Sequence, residues 1–322
     1  MKFMALSDLA VYSEYTYTAF TETLAQQVDL FNAASGGALI LRSGANQGDY
    51  SDTAFWAKIQ GLVRRRNAYG SGAVAEKNLE HLIDTMVKVA AGTPPVRIDP
   101  GMLNWIQRNE EEAGAVYGQQ LAKDTLADML NTALLVFVAA TIGEADAYLD
   151  KSAGDTTFNT LLEGSALFGD ASSNISSWAM HSKSMFDIFG VALQNSNALF
   201  NFGTVNVRQD GFGRPFVVTD SPSLINIAPT PDTHYIAGMV PGAVVVEMNG
   251  DFTQNVETKN GDENIVRTIQ SEWSYNVGAK GYTWDKATGG KSPNDAALGT
   301  ANNWDRTASD VKNTAGVLLQ VK

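Results

Sequence analysis

His81 is the first residue whose side chain could bind a metal ion. Glu80 lies beside it, and Asp84 follows three residues later. Imidazole and carboxylate groups are common zinc ligands, so these residue types allow a metal site. The stretch from Ala75 to Asp84 also has the pattern of a short helix, and a solvated helix face accounts for the same residues without a ligand. We therefore expect no metal ion here.

The other candidates for acid–base chemistry stand apart from one another. His181 lies between a predicted strand and a predicted helix, and His234 has no motif around it. Glu110, Glu111 and Glu112 are consecutive, so their side chains point in different directions around a helix. Acidic residues near a helix start interact favourably with the helix dipole, which accounts for the triplet. We expect no catalytic residue in these groups.

A glycine-rich segment, Gly70-Ser-Gly72-Ala-Val-Ala75, matches the dinucleotide-binding fingerprint in form. That fingerprint must follow a buried strand, whereas polar sequence precedes this copy. The sequence also has no P-loop, no Gly-x-Ser-x-Gly elbow and no His-Glu-x-x-His motif. We expect a flexible loop here, no cofactor and no enzyme activity.

Arg64, Arg65 and Arg66 form a basic run in a strongly acidic chain. The 322 residues carry a formal net charge of −12, with an isoelectric point near 4.7. Proteins that grip nucleic acid through a basic face need many Lys and Arg side chains opposite the phosphates, so the charge argues against that class. The run is either a solvated basic patch or a contact with an acidic neighbouring subunit, and both readings stay open.

The amino-acid composition further limits the classes of protein to which the chain can belong. Hydrophobic residues make up 44% of the chain and charged residues 18%, which allows one large domain or two smaller ones. No run of 18 apolar residues predicts a transmembrane helix, and the N-terminus does not have the pattern of a signal peptide. The absence of cysteine excludes disulfides, thiolate metal sites and thiol nucleophiles.

The secondary structure that would position these residues is predicted part by part along the chain, and the first two parts differ in character. Residues 1–35 are poor in Gly and Pro and contain an amphipathic helical run from Thr18 to Ala34. Residues 36–97 contain two strand-like pieces, Ala38–Arg42 and Thr85–Ala90, separated by a long polar stretch that includes the arginines. We expect these two strands to pair and to carry a long projecting hairpin.

The third part is a long helix. Asp99 is placed as an N-cap before Pro100, and no further proline interrupts the chain up to Gly143. Such a helix would span about 60 Å at about 1.5 Å per residue. Gly114 and Gly118 are weak points that cost about 1 kcal/mol each against alanine. The side chains expected to pack on the inner face of this helix include Trp105, Val116, Leu130 and Leu134.

The fourth part, residues 151–322, mixes a helix with strands, so the sequence predicts an α+β protein. The helix is Ser182–Leu193, with turn signals such as Asn249-Gly250 between several of the strands. The predicted strands are Ser176–Met180, Thr204–Arg208, Pro215–Thr219, Tyr235–Met239, Ala243–Met248, Ile265–Gly278 and Gly316–Val321.

This order of parts resembles the major capsid proteins of tailed bacteriophages, whose shell fold is shared with encapsulins and the herpesvirus capsid floor. Five segments carry the resemblance, and they cover most of the chain beyond residue 98, while residues 1–97 match in layout only. The segments are DPGMLNWIQRNEEEAGAVYGQQLAKD, WAMHSKSMFDIF, GRPFVVTDSPSLI, RTIQSEWSYNVGAKGYTWD and KSPNDAALGTANNWDRTASDVKNTAGVLL.

The resemblance implies a division into four parts. Residues 1–35 would be the N-terminal arm and 36–97 the extended loop, or E-loop. Residues 98–160 and 291–322 would form the peripheral domain with a spine helix over about 100–143, and 161–290 the axial domain. Arg64, Arg65 and Arg66 would then lie on the E-loop as candidates for contact with a neighbouring subunit.

The resemblance also implies a function and partners. The chain would assemble in pentamers and hexamers into an icosahedral head around double-stranded DNA, without sequence-specific binding and without a membrane. It would be made in the host bacterial cytoplasm and end in the virion. A portal, a separate scaffold and decoration proteins would be its further partners. An encapsulin-like compartment shell, or an enzyme with an unrecognised site, remains as an alternative.

Overall fold

The structure is a computed structural model that describes residues 6–56, 63–76, 81–98, 110–154, 156–189, 197–202, 205–209, 214–228, 230–259 and 266–322. The described residues form both helices and strands, as expected of an α+β protein. The helices are α1 Leu6–Ala34, α2 Glu110–Ile142, α3 Phe158–Ala166, α4 Ser182–Phe189 and α5 Asp295–Leu298. Short 3-10 turns lie at Gly169–Asn174, Pro222–Leu224, Ala301–Asn303 and Val311–Asn313.

The strands form two large sheets and one small one. Those of the first half are β1 Leu39–Ser43, β2 Tyr50–Trp56, β3 His81–Gly92, β4 Val96–Ile98, β5 Tyr148–Asp150, β6 Ser177–Met180, β7 Asn197–Phe202, β8 Val205–Gln209 and β9 Pro215–Thr219. Those of the second half are β10 Ile225–Asn226, β11 Thr233–Met239, β12 Val244–Met248, β13 Thr253–Lys259, β14 Val266–Ala279, β15 Tyr282–Trp284, β16 Trp304–Arg306 and β17 Gly316–Val321.

Two long helices pack side by side in the same direction. Tyr12 and Tyr117 stack with ring centroids 6.5 Å apart, and the helix backbones approach closely at Gly114 and Gly118. At its end α1 is tied to β1, because the Asn32 side chain accepts a hydrogen bond from the backbone N–H of Leu41 at 3.0 Å. The helix α1 is therefore packed on the subunit from Tyr12 to Asn32.

The seven-stranded sheet is centred on β14. Its main order is β1-β12-β14-β3-β2, and β4 and β13 pair with the other half of β14. The strand β1 runs parallel to β12, with Leu39 opposite Val244, and β3 runs antiparallel to β14, with Tyr275 opposite Val89. One strand of 14 residues thus joins the projecting hairpin to the rest of the sheet.

The eight-stranded sheet has the order β5-β17-β11-β6-β9-β8-β7, with β10 at the side of β11. All seven residues of β11 and all six of β17 are buried, so these strands form the middle of the core. Continuous burial on both faces explains their unbroken apolar runs. The remaining strands, β15 and β16, form a two-stranded sheet.

The second half of α2 lies between the sheets. Met129, Ala133, Val136 and Phe137 have no exposed surface. Its most apolar 18-residue window has a mean hydropathy of 1.7, enough by length and composition to cross a membrane, but 72% of that window is buried inside the subunit. Such burial is typical of a core helix, which explains the uniformly apolar sequence of this half.

Strand pairing differs from the expected pattern in the N-terminal third. The predicted partners Ala38–Arg42 and Thr85–Ala90 do not pair: β1 pairs with β12, and β3 pairs with β2. The predicted helix over Ala75–Asp84 is wrong for its last four residues, which begin β3. Pairing with β2 overrides the weak local helical pattern of this segment.

Each large sheet takes strands from distant parts of the chain. The strands β12, β13 and β14 lie in the sheet of the hairpin. The C-terminal strand β17 pairs with β11 in the eight-stranded sheet. Such long-range pairings are not visible in local sequence patterns.

Candidate assembly surfaces

The projecting hairpin is the first candidate surface. Seven residue pairs join β2 to β3, from Tyr50 opposite Val87 to Trp56 opposite His81. A two-stranded ribbon is only marginally stable in water by itself. Its two strands nevertheless stay in register here because the base of β3 is held by β14.

Side chains from the C-terminal loop hold the base of the hairpin. Lys286 Nζ donates to the Asp52 carboxylate at 2.8 Å, and Lys291 Nζ lies 2.9 Å from Asp49 Oδ2. These hydrogen bonds lower the pKa values of both Asp52 and Asp49. The Tyr50 hydroxyl donates to the Gly290 carbonyl at 3.0 Å. These contacts tie the base of the hairpin to the body of the subunit.

Arg64, Arg65 and Arg66 lie in the segment 63–76, which has no helix or strand and is exposed throughout. No ion pair joins any of the three to another residue in the described part of the chain. A turn follows them, in which the Tyr69 N–H donates to Asn67 Oδ1 at 3.0 Å. Val63 and Tyr69 are 95% and 99% exposed. Three charges and two apolar groups are thus presented to solvent or to a partner.

The residues expected to pack on the inner face of α2 differ in how deeply they are buried. Leu130 and Leu134 are 2% and 1% exposed in the main core. Val116 is 43% exposed, which differs from the expectation. It lies on the same side of α2 as the exposed Glu112 and Lys123, away from α1. Trp105 and the predicted N-cap at Asp99-Pro100 lie outside the described residues.

The structure brings together two of the three histidines. The rings of His181 and His234 stack with centroids 4.8 Å apart, because β6 and β11 are antiparallel neighbours. His181 Nδ1 accepts a hydrogen bond from the Lys183 N–H, and its Nε2 lies 3.4 Å from Asp220 Oδ1. Burial lowers the pKa of His234, and the nearby His181 lowers it further.

These contacts describe a structural pair and not an active site. His234 is 6% exposed, so a substrate has little access to its ring. His81 belongs to β3, on the other sheet, and not to a helix. Within the described ranges no group of three or more His, Cys, Asp or Glu residues could hold a metal ion. Gly70 and Gly72 lie in the irregular segment 63–76, with no strand before them there.

Comparisons with known proteins place the chain in a family. A family model described as "Gp13-like: Major capsid protein 13-like" matches residues 8–318. No curated protein matches the chain. The structure is similar to the cyanophage Pam1 capsid asymmetric unit with a TM-score of 0.50 and 11% identity, over 86% of this chain and 85% of that one.

Two other solved structures are similar at a lower level. The head of Helicobacter pylori bacteriophage KHP40 gives a TM-score of 0.49 at 10% identity, over 90% of this chain and 88% of the other. Mycobacterium phage Cain gives 0.48 at 12% identity, over 90% and 89%. The similarity to the Pam1 capsid supports the fold, and the family match spans both sheets and both long helices. The chain belongs to the Gp13-like family of phage major capsid proteins.

Proposed function

We propose that this subunit assembles as pentamers and hexamers into an icosahedral head that encloses double-stranded DNA. Membership of the family makes it a major capsid protein of tailed-phage heads, a structural and non-enzymatic component of the virion. The family match over residues 8–318 is the observation that carries the proposal. It favours a phage head over an encapsulin-like compartment, because the matching family is defined by capsid proteins.

The strand pairing supports a revised assignment of parts. The peripheral domain would consist of α1, α2 and the seven-stranded sheet, with the spine helix over α2. The axial domain would hold the eight-stranded sheet, including β17 from the C-terminus. The E-loop would be the hairpin of β2 and β3, narrower than the 36–97 segment. The N-terminal arm would be α1, packed on the spine helix of its own subunit.

The hairpin would make the contacts that hold neighbours together. It is a ribbon with an exposed, irregular tip that carries Arg64, Arg65 and Arg66. Arginine forms bidentate pairs with carboxylates, and the rest of the chain is strongly acidic. An exposed ion pair contributes only about 0–1 kcal/mol. A shell repeats the contact in every subunit, so small contributions add up.

The acidic subunit suits a container for DNA. With a net charge of −12 its surface repels a polyanion on average, so packaged DNA would not adhere strongly to the wall. The subunit would bind DNA without sequence preference. Portal, scaffold and decoration proteins would be further partners of the shell, and no membrane would take part.

The proposal is tested by negative-stain electron microscopy of the purified protein. Closed shells of uniform diameter are expected, with nucleic acid inside when the particles come from infected cells. Discrete monomers under all conditions, or shells that hold a protein cargo and no nucleic acid, would contradict the proposal.

The hairpin assignment has its own test. Replacement of residues 57–80 by a two-residue turn, or of all three arginines by glutamate, should leave the thermal melt nearly unchanged but abolish closed shells. Normal shells from both variants, or outright unfolding of either, would show that the hairpin is not the assembly element.

A further inference from the structure

The Asn249-Gly250 pair, a turn signal in the sequence, interrupts an edge of the seven-stranded sheet. The strand β12 pairs with β14 up to Met248, and β13 pairs with the same side of β14 from Thr253 onward. Between these strands residues 249–252 leave the ladder, while β14 continues without a break. Gly250 has a φ angle of +70°, a left-handed conformation that suits glycine. The pair therefore lies in a bulge of the sheet and not in the turn of a hairpin.

Side chains replace the missing ladder bonds in this bulge. The Asp251 carboxylate accepts hydrogen bonds from the Ser274 N–H at 2.8 Å and from the Ser274 hydroxyl. Asn249 Nδ2 donates to Ser274 Oγ at 2.9 Å, and Asn276 Nδ2 donates to Asn249 Oδ1 at 2.8 Å. Ser274 and Asn276 are 5% and 0% exposed. The side-chain amide of Asn249 is thus held on both its atoms by buried polar groups of β14.

The backbone nitrogen of Gly250 is open to reaction. An asparagine side chain is long enough to reach the N–H of the next residue, and glycine is the residue that hinders this nitrogen least. Gly250 is exposed, and a Cβ placed on it would meet nothing within 4 Å. Among the described residues no backbone hydrogen bond engages the Gly250 N–H. Neither packing nor a backbone partner therefore opposes an approach of this nitrogen to the Asn249 side chain.

The surroundings of the Asn249 amide stabilise the charge that such an attack creates. When the Gly250 nitrogen adds to Asn249 Cγ, negative charge develops on Oδ1, where the buried Asn276 side chain already donates its hydrogen bond. The leaving nitrogen must gain a proton. Ser274 Oγ lies 2.9 Å from it, and the Ser274 hydroxyl links it to the Asp251 carboxylate, which provides a path for that proton.

We infer that Asn249 is a site of spontaneous covalent modification, at which the chain converts its own side-chain amide to an aspartyl or isoaspartyl residue. The Gly250 nitrogen forms a bond to Asn249 Cγ, the Cγ–Nδ2 bond breaks, and ammonia leaves with the proton of the Gly250 N–H. The product is a cyclic imide. Water then adds to one of the two imide carbonyls and opens the ring, so water is the only co-reactant.

The conversion changes the bulge chemically and geometrically. A carboxylate at position 249 no longer donates to Ser274 and Asn276. It also places a second negative charge close to that of Asp251. The isoaspartyl product lengthens the main chain between β12 and β13. The modified sheet edge should therefore be less stable than the original one. Because the reaction takes place within one subunit, it does not depend on assembly into shells.

Peptide mapping by mass spectrometry tests the site. The full-length protein is incubated at neutral pH in water enriched in heavy oxygen and is then digested at acidic pH in ordinary water. The peptide that contains residue 249 should gain the mass that separates an acid from an amide, together with the heavy-oxygen label. The label distinguishes conversion in the folded protein from conversion during purification or digestion. Chromatography should resolve aspartyl and isoaspartyl forms of this peptide.

Two variants and one internal control separate this route from a general loss of amides. Gly250→Ala hinders the attacking nitrogen and should nearly abolish the conversion. Asn276→Ala removes the donor to Oδ1 and should slow it by about tenfold, less than the loss of such a donor costs an enzyme. Asn255 is exposed on β13 but precedes Val256, so it should keep its amide under the same conditions.

Three results would overturn the inference. The first is an unchanged peptide in the folded protein under conditions in which the isolated peptide converts, since the fold would then protect Asn249. The second is a conversion of Asn255 as fast as that of Asn249. The third is an unchanged rate in Gly250→Ala. Thermal melts check that both variants fold. If Asn276→Ala does not fold, the exposed Gly250→Ala variant decides the question.

Discussion

Gly118 of α2 lies so close to Thr16 of α1 that a Cβ atom at position 118 would be 2.5 Å from the Thr16 carbonyl oxygen. One turn earlier, a Cβ at Gly114 would be 2.8 Å from the Tyr12 carbonyl oxygen. The two glycines, expected to be weak points of the helix, are the positions that let α1 and α2 approach with backbone contact. The N-terminal helix therefore depends on them for its place on the subunit.

Gly118→Ala should lower the free energy of unfolding by about 1–3 kcal/mol, because the added methyl group forces the two helices apart. The sign is the test, since in an isolated helix the same change stabilises by about 1 kcal/mol. Urea denaturation of the subunit measures it. Gly154→Ala is the matched control, because a Cβ there would meet nothing within 4 Å. Equal or higher stability of Gly118→Ala would show that the helices are not in contact.

Leu130→Ala should cost about 2–5 kcal/mol, because the side chain is 2% exposed and a cavity would remain. Leu134→Ala should behave in the same way. Val116→Ala on the same helix is the control and should change stability by about 0.5 kcal/mol or less, as is usual for exposed positions. A loss for Val116→Ala as large as for Leu130→Ala in the isolated subunit would contradict the placement of this face.

Local sequence patterns were sufficient to predict most strands of the C-terminal half. The predictions Pro215–Thr219 and Gly316–Val321 are confirmed to the residue, and Ile265–Gly278 is confirmed as β14, Val266–Ala279, over the residues that the structure describes. These segments are rich in Val, Ile and aromatic residues and are bounded by glycine turns, so propensity and burial agree. The helix prediction for the spine is likewise confirmed over Glu110–Ile142.

Strand partners were not predictable in the same way. Thr85–Ala90 was recognised as a strand, but β3 starts four residues earlier, at His81, and pairs with β2, which had been assigned to irregular polar sequence. The residues of β2, Tyr-Ser-Asp-Thr-Ala-Phe-Trp, alternate only weakly between apolar and polar. The side chains from Ser51 to Ala54 are exposed or half-buried on both faces, so no apolar side marks the two-residue period of this strand.

A groove between α2 and the end of β3, lined by Asp124, Asp128 and Asp295, was not predictable from the sequence for a similar reason. Asp124, Asp128 and Asp295 look like ordinary solvated acids, since two of them lie on a helix surface and the third begins a short helix. Only the packing of α5 near α2 brings the third carboxylate to the other two. The stacked pair of His181 and His234 has the same origin, because 53 positions of chain separate two residues on neighbouring strands.

His234→Leu should weaken the loss of stability in acid. Burial lowers the pKa of the folded His234 below the usual histidine value of 6.5, so near that pH the unfolded chain binds more protons than the folded one. The free energy of unfolding of the wild type therefore falls as the pH drops through 6.5 toward the folded pKa. Thermal melts at pH 7.5 and pH 5.5 should show a smaller decrease for the variant. An unchanged difference would mean that another group carries the pH dependence.

Asp128→Asn should stabilise the isolated subunit slightly at neutral pH. Burial raises the pKa of Asp128, so its ionised form is disfavoured in the folded state, whereas an amide oxygen still accepts the bond from Tyr275. The gain should stay below about 1 kcal/mol because the Asp128 side chain is exposed to solvent. It should shrink in acid, where the wild-type carboxyl is protonated. A loss of stability at neutral pH would indicate that the negative charge has a partner within the subunit.

The free subunit should bind duplex DNA only weakly, with a salt dependence set by no more than three phosphate contacts. Its net charge is −12, and its one basic run, Arg64–Arg66, offers three positive charges. Each phosphate contact contributes about 0.9 to the slope of log affinity against log salt, so three contacts give a slope of about −3 at most. Fluorescence anisotropy with a labelled duplex at low and at physiological salt measures the slope, with the triple arginine-to-glutamate variant as control. A steeper slope in the wild type, or one that persists in the variant, would reveal a basic surface that lies elsewhere on the chain.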